Sequence, residues 1–123
     1  MSVGTFAYTA MPADLVPMDR RTTARAVVDW CARLLGIASP EIIWLVPAIG
    51  TDPIEALLPV PAYGVAFSPP NHRVGLRGDI LDGHQLVSTS AHECAHLLGP
   101  HVTEADADAF GWEVAALWCR PRR

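Results

Sequence analysis

Two periodicities divide the chain. From Ala24 onward, Val27, Val28, Cys31, Leu34 and Leu35 recur at helical spacing, with Thr22 or Thr23 as a cap ahead of them, Gly36 as a stop and Pro40 beyond it. This predicts an amphipathic helix packed on the back of a sheet, with Trp30 at the edge of the core. Residues 1–19 keep no period and read as an irregular, proline-containing lead-in. Glu41–Val46 is a β-branched apolar run closed by Pro47, the pattern of a short strand. Residues 47–62 hold four prolines and Gly50, which makes them a loop, with one helical turn at Ile54–Leu58. Its Leu57-Leu58-Pro59-Val60 either covers the core or walls a groove. Tyr63, Val65 and Phe67 then alternate with small residues, Ser68–His72 is turn chemistry, and Val74 and Leu76 alternate with Arg73, Gly75 and Arg77. That pattern is a hairpin.

The last third returns to helical spacing. Leu86, Val87, Ala91, Cys94, Ala95 and Leu98 form an apolar stripe, Asp82 stands as a cap with Gln85 three residues on, and Gly99-Pro100 ends the helix. A further helix opens at Thr103, with Asp106 placed as in a capping box, and runs to about Trp118. The expected fold class is therefore α+β: an N-terminal helix, a short three-stranded sheet containing a hairpin, and two helices at the C-terminal end.

At 123 residues, half of them apolar, the chain is long enough for one domain that buries about two-thirds of its unfolded surface. A net charge of −4 and the lack of any run of basic residues argue against direct nucleic-acid or anionic-membrane binding. All nine basic residues are arginine, which reads as coding bias rather than chemistry. Cys31, Cys94 and Cys119 form no C-x-x-C pair and leave one thiol over in any disulfide scheme, so a reducing, cytoplasmic location is expected. The N-terminus lacks a basic region and is broken by Gly4, Pro12 and Asp14, so no signal peptide is expected, and no apolar run is long enough to span a bilayer.

The chemistry concentrates at His92-Glu93-Cys94-Ala95-His96. Helical positions four apart lie one above the other, so the two imidazoles share a face and can grip one metal ion while Glu93 flanks the open position. His92, Glu93 and His96 are set off from the apolar stripe, and Cys94, two residues from each histidine, turns away from the metal as a small core residue. A catalytic zinc site needs a third protein ligand and leaves its fourth position to water. Glu104 supplies a candidate: Glu104, Asp108, Gly111 and Ala115 fall on one stripe that starts with two carboxylates and ends with two small residues. Small residues permit close approach to the preceding helix, and Asp108 is placed to accept the remaining N–H of a ligating histidine. Asp106 reads as part of a solvated acidic first turn.

His92-Glu93-x-x-His96 followed by Glu104-x-x-Ala107-Asp108-x-Phe110 resembles the pattern of the gluzincin metallopeptidases, most closely the small ImmA/IrrE-type branch. The resemblance covers roughly residues 80–117, and seven residues separate His96 from Glu104. It implies a minimal zincin-like domain over residues 1–123 and a strand Arg73–Arg77 at the sheet edge beside the metal, where its free backbone groups would hold an extended peptide. The competing reading of that strand is an ordinary hairpin whose arginines are solvated. ImmA/IrrE-type proteins often carry a helix-turn-helix domain, for which these residues leave no room.

His101 is the alternative. H-E-x-x-H-x-x-G also opens metzincin sites, whose third histidine lies three residues past the glycine; here that position is Val102, and His101 stands one before it. The Met-turn of those proteins has no counterpart, because Met1, Met11 and Met18 all precede the motif. His101 therefore stays as an alternative ligand or as a residue on the oxyanion side, with His84, His72 and Tyr63 as further oxyanion candidates. The function expected is a zinc endopeptidase in which Zn2+ activates water and Glu93 is the general base, acting on a protein or peptide partner such as a regulator. The alternative is a metal-binding or vestigial-protease module that binds a partner without cutting it.

Overall fold

The computed structural model describes residues 8–47, 64–67, 72–79 and 81–120. They form an α+β arrangement of a four-stranded mixed sheet and three α-helices. In chain order these are β1 (Tyr8–Ala10), a 3-10 turn at Ala13–Leu15, α1 (Met18–Leu35), β2 (Glu41–Pro47), β3 (Gly64–Phe67), β4 (Arg73–Arg77), α2 (Gly83–His96) and α3 (Glu104–Trp118). The sheet order is β1-β2-β4-β3: β1 runs antiparallel to β2, β2 parallel to β4, and β3 antiparallel to β4. Among the described residues no helix is long and apolar enough to cross a membrane. The Leu57–Val60 segment, the helical turn at Ile54–Leu58, the turn at 68–71 and Tyr63 lie outside the described residues.

Several expectations need correction. The sheet has a fourth strand, β1, inside the stretch read as irregular; three residues are too few to show alternation, and the pairing with β2 comes from long-range contact, continued by Met11 N–H donating to Trp44 O at 2.9 Å. α1 begins at Met18, four residues before Thr22, because Pro17 (φ −51°) presets the backbone for a first turn and no side-chain cap is needed. It ends where expected, on the left-handed Gly36 (φ 70°). α1 packs both on the sheet, as expected, and along α2: Ala24 shares a core cluster with Trp44 and Leu76, and Val27, Val28 and Cys31 share the main core with Val74.

A further correction places the hairpin. β4 is not the edge strand; it lies between β2 and β3, and Val74, Gly75, Leu76 and Arg77 are all buried. Gly75 makes this possible, since a Cβ there would come within 2.8 Å of Leu45 and 2.9 Å of Val65, so side chains from both neighbouring strands lie directly over its backbone. Arg77 is buried against Asp79, its Nε and Nη2 donating at 2.8 and 2.9 Å, and Arg73 pairs with Glu41 at 2.8 Å, so neither is merely solvated. The guanidinium beside it holds the Asp79 carboxyl below the usual range. β3 is the outermost described strand on this side, and it lies against α2.

The main core joins Val27, Val28 and Cys31 of α1 to Val87, Ala91 and Cys94 of α2, Val114 and Ala115 of α3, and Val74 of the sheet. Trp30 packs at its margin and meets Trp118 at 5.7 Å between ring centroids, as an edge residue should. Leu98, expected in the apolar stripe of α2, is exposed, and Leu97 is buried in its place. The cause is the tightening of the last turn: Leu97 N–H donates to Cys94 O, three residues back, which rotates the following side chains out of the helical register.

Candidate metal centre

The site is assembled from two helices that the backbone forces close together. α2 starts at Asp82, whose side chain accepts from Gly83 N–H, and α3 starts at Thr103, where Thr103 and Asp106 form the expected capping box. The helices cross at Gly111, where a Cβ would stand 2.7 Å from Ser88 O and 3.6 Å from His92 Cβ. No side chain fits there. The resulting approach brings Glu104 and Asp108, the first two carboxylates of the α3 stripe, onto the histidine face of α2.

Three donors converge. His92 Nε2 and His96 Nε2 lie 3.2 Å apart, and Glu104 places Oε1 3.0 Å from the first and Oε2 3.0 Å from the second. Ligand atoms about 2.0–2.1 Å from a tetrahedral ion sit about 3.3 Å from one another, so this spacing matches the donor set of a four-coordinate divalent metal. The tautomer matches as well. His92 Nδ1 lies 2.8 Å from Asp108 Oδ1, and a carboxylate accepts only, so the imidazole keeps its proton on Nδ1 and presents a bare lone pair at Nε2. Two imidazole nitrogens facing each other beside a carboxylate are mutually satisfied when a cation lies among them. His92, His96 and Glu104 can thus hold a metal ion, and Glu104, mostly exposed, leaves the cluster open to solvent.

Glu93 lies beside this cluster but is buried rather than open to solvent. It is 8% exposed, enclosed between α2 and β3, with Oε2 4.0 Å from His92 Nε2. Burial pushes its carboxyl up to about 7; His92 pulls it back, and the carboxylates of Glu104 and Asp108 raise it further. A carboxyl raised toward the neutral range lies beside three donors that could hold a metal ion.

The remaining candidates fall outside this cluster. His101 is exposed and does not join the three converging donors; its ring packs over Gly99, where a Cβ would lie 3.0 Å from Nδ1. His72 Nε2 is 2.6 Å from Ala38 O and pins the loop before β2, while His84 is exposed on the first turn of α2. Cys94 is fully buried with its thiol pushed up by desolvation, in keeping with a core role. One contact was not foreseen: Gly64, the first residue of β3, lies against Glu93. A glycine inside a strand pattern signals close backbone approach, but its partner lies across the fold.

Compared with protein-family models, with characterised proteins and with solved structures, the chain matches none.

Proposed function

We propose that this chain is a zinc-dependent metallopeptidase, a minimal zincin-like domain of the gluzincin kind similar to the ImmA/IrrE-type branch, that hydrolyses peptide bonds of a protein or peptide partner. The observation that carries this reading is the joint placement of three converging donors and one buried carboxylate 4.0 Å from the nearest of them. A module that only held a metal would have no use for an ionisable group desolvated at that position. Two nitrogen donors and one oxygen donor suit zinc over magnesium or calcium.

His92, His96 and Glu104 would hold the ion. When bound, zinc supplies Lewis acidity, acidifying water and polarising a peptide carbonyl. Glu93 takes the proton from the attacking water on its carboxylate and passes it to the nitrogen of the departing amine, so one residue serves as base and then as acid. Asp108 keeps the His92 proton at Nδ1 throughout, which holds the ring in its ligating tautomer. β3, outermost among the described strands on this side and in contact with Glu93, supports a substrate laid along it as an added strand. The three unpaired cysteines fit action in a reducing compartment, the cytoplasm.

The test is direct. Purified protein should carry one zinc per chain and cut members of a diverse peptide library in a way abolished by chelation and restored by zinc. Zinc uptake without cleavage of any peptide would favour the partner-binding module, and failure to take up zinc would end both readings. Asp108→Asn, which keeps the shape and removes the charge, should lower zinc affinity by roughly 10–100-fold in chelator competition. Unchanged affinity would take Asp108 out of the site.

A further inference from the structure

We propose that Gly64 is the positioning residue of Glu93, its missing side chain being what lets β3 lie directly on the stem of that carboxylate. This inference rests on the peptidase reading above. A Cβ built at Gly64 would stand 3.1 Å from Glu93 Cγ, 3.0 Å from Thr89 Cγ2 and 2.9 Å from Gly75 O. Thr89 and Glu93 are successive residues of one row on α2, so β3 touches the helix along that row at the turn that carries the general base.

The contact has a direction. Glu93 lies between the ligand histidines of its own helix and the backbone of β3, and its Oε2 sits 4.0 Å from His92 Nε2. Its methylenes are met from the strand side at Gly64, and among the described residues no other glycine of the sheet meets a residue of the cluster. Below about 3.4 Å a methyl group cannot be absorbed without movement. The nearest neighbour, Gly75 O at 2.9 Å, is backbone of the paired strand and cannot swing aside, so the added methyl is pressed toward α2, where the Glu93 stem is the more flexible of the two side chains it meets. Gly64→Ala therefore swings the carboxylate while leaving His92, His96 and Glu104 untouched, since none of them meets Gly64. A displacement of about 1 Å at a reacting group is enough to cost up to 10²-fold in rate.

The experiment uses zinc-loaded full-length protein and acetohydroxamate as the probe. This small acid chelates a metal through its oxygens, and a carboxylate within hydrogen-bond reach of the bound oxygen tightens it, so its affinity reports where the Glu93 carboxylate stands. Four proteins are compared by calorimetry: wild type, Gly64→Ala, Glu93→Gln and the double variant. All four should hold one zinc per chain. Glu93→Gln and Gly64→Ala should each weaken acetohydroxamate binding by roughly 10-fold or more, and the double variant should bind no more weakly than Glu93→Gln alone, because two changes acting through one group do not add.

Gly64→Ala binding as tightly as wild type, or losses that add in the double variant, would overturn the proposal. So would zinc loss in Gly64→Ala, which would show that the glycine supports the ligands or the fold. Failure of the alanine variant to fold overturns the proposal equally, because it would assign the glycine to the close approach of Gly75 O rather than to Glu93. Wild-type protein that takes up zinc and ignores acetohydroxamate contradicts the peptidase reading instead, so the two failures are distinguishable.

Discussion

Glu93→Gln is expected to abolish peptide hydrolysis, to keep one zinc per chain, and to make the metal-free protein more stable than wild type at neutral pH. Loss of a positioned acid–base group costs about 10²–10⁴-fold in rate, whereas the ligand atoms at His92, His96 and Glu104 are untouched. The stability gain follows from the raised carboxyl. Burial lifts it from 4.5 to about 7, so the folded metal-free chain binds this proton more tightly than the unfolded chain does. Its contribution is fully present below about pH 4.5 and is lost as pH rises toward 7, amounting to about 3 kcal/mol above that. Glutamine does not ionise. The melting temperatures of wild type and variant should therefore diverge between pH 4.5 and 7 and run parallel above, as followed by thermal denaturation in chelator. Equal melting curves at pH 8 would mean that Glu93 is not held in a desolvated place.

Glu104→Ala is expected to lower zinc affinity by more than the 10–100-fold assigned to loss of a supporting partner, because it removes a donor itself. Both oxygens are involved, each 3.0 Å from a different histidine nitrogen. The side chain is mostly exposed and the capping box of α3 is formed by Thr103 and Asp106, so the fold should survive the change with little loss. His101→Ala serves as the comparison, since His101 stands apart from the three donors. Zinc titration of the two variants decides between the ligand sets; full retention after Glu104→Ala with loss after His101→Ala would reverse the assignment.

Much of this site was legible in the chain because its information is local. Spacing of four placed His92 over His96, the Thr103–Asp106 capping box set the start of α3, and the same helical arithmetic aligned Glu104, Asp108 and Gly111. Glu93 stood out in the motif but its burial did not, since the strand against it comes from residues nearly thirty positions earlier. The sheet failed for the same reason. β1 is too short to announce itself, and the run Arg73–Arg77 looks half-polar although it lies between two strands, because Arg77 is neutralised by Asp79 and the bare backbone of Gly75 is covered from both sides. The α1 start was missed because Pro17 can open a helix without the side-chain cap that a threonine would have advertised.

Cys94 sits inside the histidine pentapeptide, yet both it and Cys31 are fully enclosed and their thiols are pushed up by desolvation, that of Cys31 to about 12. Since the thiolate is the reactive form, thiol-directed alkylating reagents meet Cys119 alone among the three thiols, exposed just past the end of α3. The native chain thus comes with a single chemical handle, where a fluorophore can be attached beyond the helix that bears Glu104 and Asp108 without altering either of them.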